Sequence, residues 1–214
     1  MTRYLKVLGL TLVAAFAMSA VVASAASAAN FNFHSEGTST VLTGTQHAGS
    51  DVFKTDGGTV SCSSATYTGS QTGSTAESVE VTPTYSGCTA FGFINVPIHV
   101  NGCKYKFATS ETKYQGAVHI ICATKPIEIT SPGCTVTVGT GTPGGKATYT
   151  NVGSGTTREV TVDVALTGIN YVEDNNGGGC VGPTGTTKTN GTYSGAALVT
   201  GETSKKAHLG IWVE

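Results

Sequence analysis

The residues of this chain with the most definite chemistry are six cysteines, Cys62, Cys88, Cys103, Cys122, Cys134 and Cys180. No two of them form a CxxC pair, so their spacing does not read as a metal site. An even cysteine count in an exported chain predicts three disulfides. The stretch from Cys103 to Cys122 supports one pairing in detail. If these two cysteines face each other across a hairpin, Tyr105 meets Ile120 and Phe107 meets Val118 on the cysteine face. Lys104 then meets Ile121 and Lys106 meets His119 on the opposite face, with the turn centred on Glu111 and Thr112. A slip of one residue would exchange the two faces. Sequential pairing of the rest joins Cys62 to Cys88 and Cys134 to Cys180. In the first of these, Tyr67, Val79, Val81 and Tyr85 have the parity opposite to the cysteines, which requires a bulge or another partner. The second follows by elimination.

The patterns that would carry catalysis fail on their context. Gly139–Gly144 reads GTGTPG, but strand-like residues flank it on both sides, so no helix N-terminus is present to hold a pyrophosphate. Lys146 is followed by Ala147 rather than Ser or Thr, and no GxSxG nucleophile elbow occurs. The histidines, at 34, 47, 99, 119 and 208, are never two or four residues apart. Glu173–Gly179, EDNNGGG, lacks the spaced acidic ligands and distal Glu of a calcium loop. Glu159 and Asp163 share a strand face about 13 Å apart, too far for a glycosidase pair. No catalytic residue, cofactor or metal is assigned, and the balance is against an enzyme. Thr-x-Thr recurs, at 43 and 45, 66 and 68, and 82 and 84 among others, and suits the solvent face of exposed strands. Trp212, the only tryptophan, is the one candidate binding residue, as a sugar-stacking ring or as a ring covered by a neighbouring loop.

The elements that must position these residues follow from export and composition. Arg3 and Lys6 precede an uncharged apolar run, Val7 to Ala23, and then small residues up to Asn30, the layout of a signal peptide over residues 1–29. Residues 30–214 then form a single secreted β domain, placed outside the cell or in its envelope, with no membrane span. Losing Arg3 and Lys6 takes the basic residues from 12 to 10 against 13 acidic ones, a net charge of −3 with no basic cluster. That excludes the electrostatic footprint of a nucleic-acid binder. Thr, Gly, Ser and Val dominate, and Val160, Val162, Val164 and Leu166 alternate with Glu159, Thr161, Asp163 and Thr167. Further strands are expected over 79–85, 94–100, 127–130, 135–138, 147–152, 193–199 and 207–214, separated by Gly-rich turns. The fold class is therefore all-β, an antiparallel sandwich or barrel-like domain with disulfides. The function that fits is non-catalytic binding of a surface polysaccharide or protein partner. The alternatives are a secreted hydrolase with a site invisible in sequence, and a structural envelope protein.

Overall fold

The computed structural model describes residues 31–181 and 183–214, and the expected signal peptide lies outside them. Its strands are β1 (Phe33–Ser35), β2 (Ser39–Gln46), β3 (Asp51–Thr55), β4 (Gly58–Thr72), β5 (Thr75–Ala76), β6 (Ser78–Ala90), β7 (Ile94–Asn95), β8 (Ile98–His99) and β9 (Lys104–Thr109). There follow β10 (Gln115–Ile121), β11 (Ile127–Ser131), β12 (Cys134–Val138), β13 (Gly144–Val152), β14 (Glu159–Asp174), β15 (Thr187–Glu202), β16 (His208–Leu209) and β17 (Ile211–Val213). A 3₁₀ turn at Gly155–Thr157 is the only helical element among the described residues.

The long strands pair antiparallel in the order β2, β4, β6, β9, β10, β13, β14, β15, and β15 pairs back onto β2. Eight strands thus close into a barrel, which removes the exposed edges an open sheet would present. Alternation sorts the two faces. On β14 the inward set is Val160, Val162, Val164 and Leu166, while Thr161, Asp163, Ala165 and Thr167 point out. Thr66, Thr68 and Ser70 on β4 are likewise exposed. An apolar inside and a polar outside is the reverse of a lipid-facing barrel, so the outer wall faces water.

The β9–β10 hairpin has the register that a Cys103–Cys122 pairing dictates, with Tyr105 opposite Ile120 and Phe107 opposite Val118, and the disulfide joins the two cysteines. Cys62 faces Cys88 and is bonded to it. The parity conflict on these strands is resolved by a matched irregularity. Inward positions are Ala65 and Tyr67 below and Cys62 above on β4, and Val81 and Pro83 below and Cys88 and Ala90 above on β6. Both strands therefore shift parity at the same level, between Ser63 and Gly87. Because each strand carries the extra residue, the pairing register is unchanged from Ser70↔Glu80 to Val60↔Ala90. Gly87 holds φ at 59°, and a Cβ there would fall 2.1 Å from Ser63 Oγ. Glycine is the residue that fits.

Above this level a small sheet of β12, β11 and β8 extends from the end of β14, and Cys134–Cys180 ties β12 to the loop after β14. The expected strand over 94–100 is instead two short pairings, β7 with β6 and β8 with β11. Pro97 lies between them and has no N–H to continue a ladder. The expected terminal strand also divides, at Gly210: β16 pairs β15 and β17 pairs β1.

The lower end is plugged by β1 and β17, whose Phe33, Ile211 and Val213 are buried in the core. Phe33 meets Tyr149 edge-to-face at 5.2 Å. The Asn151 side chain substitutes for a neighbouring strand: its Nδ2 donates to Val213 O at 2.9 Å and its Oδ1 accepts from Val213 N at 2.9 Å. Asn151→Ala leaves both backbone groups of a fully buried residue without these partners. Urea unfolding should show a loss of about 1–3 kcal/mol, against little change for the exposed neighbour Val152→Thr.

Candidate functional site

The barrel is not filled. Val162, Val164, Phe107 and Tyr105 line the interior yet are only half-buried, because their accessible surface borders an internal cavity of about 120 Å³. Small residues make the room. Gly44, Gly195 and Ala197 take inward positions, and a Cβ on Gly195 would fall 2.1 Å from Asp51 Oδ1. Most of the wall is aliphatic or phenyl, as expected of a space that excludes water.

One arc of the wall is polar, formed by neighbouring strands. Asp51 opens β3, Tyr67 is on β4, Tyr85 on β6, Tyr105 on β9 and Tyr193 on β15. Tyr85 Oη and Tyr105 Oη share a hydrogen bond at 2.9 Å, and the rings of Tyr67 and Tyr85 meet edge-to-face. Asp51 is 2% exposed. Its Oδ1 accepts from Tyr67 Oη at 2.8 Å and, at shorter range, from Tyr193 Oη, while the two hydroxyls stand 3.0 Å apart. Asp51 Oδ2 is buried with no partner, as is Tyr149 Oη further down the barrel.

With both tyrosines donating to Oδ1, their two hydrogens are spent there and none remains for the contact between the hydroxyls. Burial pushes the Asp51 carboxyl above its ordinary value of 3.8, against the opposing hydrogen bonds from Tyr193 and Tyr67. Burial also raises the four tyrosines, Tyr105 to about 12, so all stay neutral.

The wall beside Asp51 is broken. Thr45 faces Thr66 and Asp51 faces Cys62, so two extra residues leave the barrel between β2 and β3. On the other side Ala197 faces Gln46 and Ser194 faces Val52, and Gly195 has no strand partner there. Gly195, Ala196 and Val164 border both the lumen and an outer groove that includes Ser50, Lys146 and Asp163.

Of the residues singled out in the sequence, Cys62, His34 and Trp212 border the lumen, and the other histidines, the acidic pair and the Gly-rich loops lie outside it. Trp212 is half-buried at the lower plug, stacked on His34 at 5.3 Å, with the Arg158 guanidinium 4.5 Å from its ring centre. These neighbours occupy the ring that a sugar would use. Gly139–Gly144 connects β12 to β13, which do not pair with each other, so it is a crossing rather than a hairpin loop. Glu173 of EDNNGGG is buried and bound to Lys188 at 2.9 Å, which holds Lys188 above its ordinary value. Glu159 pairs with His208 at 3.5 Å, away from Asp163. The Thr-x-Thr pairs of β2, β4 and β6 do come together: Thr43, Thr68 and Thr82 form one cross-strand row, and Thr45, Thr66 and Thr84 the next. Among the described residues no group of three or more His, Cys, Asp or Glu side chains is placed to hold a metal ion.

No family model, curated protein or solved structure matches this chain.

The raised carboxyl at Asp51 has a defined stability signature. Below about pH 3.8 the group is protonated both folded and unfolded. As pH rises from there through the higher folded value, the unfolded chain ionises first and stability falls. Asp51→Asn cannot ionise, so its urea-unfolding stability should gain on that of the parent across this window and then hold a constant difference. Parallel pH profiles for the two proteins would exclude a raised Asp51.

Proposed function

We propose that this protein is an exported binding protein that takes one small, largely apolar molecule into its barrel. The observation that carries this reading is a cavity of about 120 Å³ with a mainly apolar wall and a cluster of hydroxyls around Asp51 on one arc of it. Cores are normally packed without voids of this size, and a dry engineered cavity of about 150 Å³ is large enough to bind benzene. Eight-stranded barrels are the size that holds one small ligand. Three disulfides fit an oxidising compartment, and together with the signal peptide expected from the sequence they support an extracellular or envelope location. In this reading the ligand enters at the break beside Gly195, where the lumen and the outer groove share Val164, Gly195 and Ala196.

Toluene is a suitable probe. It should raise the unfolding temperature in a concentration-dependent way and shift NMR signals of Val162 and Phe107. Filling the lumen with Val162→Phe should abolish both effects. No response of the parent protein to toluene at saturation would exclude the lumen as a ligand site.

A second reading, binding of a surface polysaccharide, is favoured by the six in-register threonines outside. The array follows the curve of the barrel, so it suits a single polymer chain better than a flat crystal face. Co-sedimentation with cell-wall polysaccharide that is lost in Thr66→Val/Thr68→Val, with toluene binding retained, would establish it.

A further inference from the structure

Asp51 uses one carboxyl oxygen and leaves the other idle. Oδ1 belongs to the ring with Tyr67 and Tyr193, and Oδ2 is buried on a residue of the lumen wall with no donor. With Oδ1 taken up by the two tyrosine donors, Oδ2 is the acceptor left over. A buried acceptor without a donor is unfavourable, and any ligand that brings a donor relieves it. The hydroxyls of Tyr85 and Tyr105 bond to each other and to neither oxygen of Asp51. No lysine or arginine lines the cavity. The break in the wall adjoins the same group: Asp51 is the first strand residue after the excursion, and Gly195, which pairs with Val164 but with neither β2 nor β3, packs against its carboxyl.

We infer that the barrel selects, among small apolar molecules, one that carries a single hydroxyl, an alcohol or a phenol, whose O–H donates to Asp51 Oδ2. This rests on the lumen-binding reading above. The hydrocarbon part of the ligand lies against Val81, Phe107, Val162 and Val164. A carboxylate ligand would bring an acceptor to an acceptor. An ammonium would call for an ionised Asp51, the form that burial of this carboxyl disfavours. A bare hydrocarbon fits the space and leaves Oδ2 unpaired.

Calorimetric titration of the disulfide-intact mature protein with toluene, benzyl alcohol and benzylamine at neutral pH separates these cases, because the three differ only in the head group. Benzyl alcohol should bind about tenfold more tightly than toluene, the discrimination expected of one buried hydrogen bond, and benzylamine more weakly than the alcohol. Asp51→Asn keeps an acceptor for the tyrosines and places an N–H₂ donor where Oδ2 was, so the preference should pass from benzyl alcohol to benzaldehyde, an acceptor of the same size. That inversion is a ratio within one variant and does not depend on its stability. Equal affinity for toluene and benzyl alcohol would overturn the hydroxyl site and leave lumen binding intact. Tightest binding of benzylamine would overturn it too, by showing Asp51 ionised. No binding of any probe would overturn the lumen reading itself.

Discussion

Closure of the sheet is the constraint on which the rest depends. The last long strand, β15, pairs with β14 on one side and with β2, the first, on the other. Apart from the short β3–β15 pairing beside it, the remaining wall contacts join strands that are neighbours along the barrel sequence, so most of the wall can be built as a meander from the N-terminal end. The β15–β2 ladder spans nearly the whole described chain and cannot form until the meander has curled. Once formed, it removes both edges and fixes the curvature that leaves a lumen. The two strands that meet there also supply Gly44, Gly195 and Ala197, the small inward residues that keep the lumen open.

The disulfides act within that constraint at one end of the barrel. Cys62–Cys88 and Cys103–Cys122 each join adjacent wall strands, and Cys134–Cys180 fastens the upper sheet. They stand close to the level where the wall is irregular: the matched shift at Ser63 and Gly87, the excursion between β2 and β3, and the break in the β14–β15 register after Leu166, where Gly168 has φ 68°. Bulges re-aim strands and are a route by which a barrel turns a side chain toward a site. Here the excursion delivers Asp51 to the inner face. A wall interrupted on several strands at one level lacks some of its ladder hydrogen bonds, and covalent links beside that level hold what the ladder does not.

The fold class was legible in residues 103–122 and 159–167, where inward positions are mostly apolar, outward ones mostly polar, and one register sorts most of the pairs. It was much less legible over 39–72. That segment forms β2, β3 and β4, yet its inward positions include Gly44, Gly69 and Gln71, and its parity changes at Ser63. Alternation of hydrophobicity cannot signal a strand whose inner residues are small so as to leave space. The cavity that makes the segment interesting is what makes it hard to read. The site was hidden for a related reason. Tyr67 and Tyr85 stood out only as an objection to the Cys62–Cys88 pairing, and Asp51 carried no signal, because its partners are 16 and 142 residues away. Trp212 drew notice by residue type, and its ring is taken up by His34 and Arg158.

A buried carboxyl in a hollow barrel is an unfavourable arrangement that ordinary packing would remove. Leucine at position 51 would fill space, end the unpaired oxygen and free two tyrosines to become phenylalanines, and cores built that way are commonly the more stable. The arrangement present keeps a charge-capable group beside the break between β2 and β3, surrounds it with four hydroxyls bonded within the cluster, and leaves one carboxyl oxygen unused. Stability alone does not account for an acceptor left idle when a neighbouring hydroxyl could have been placed to meet it. Local departures from the best-packed solution concentrate where a protein binds something, and in this barrel the unfilled volume, the interrupted wall and the unpaired oxygen all meet at Asp51.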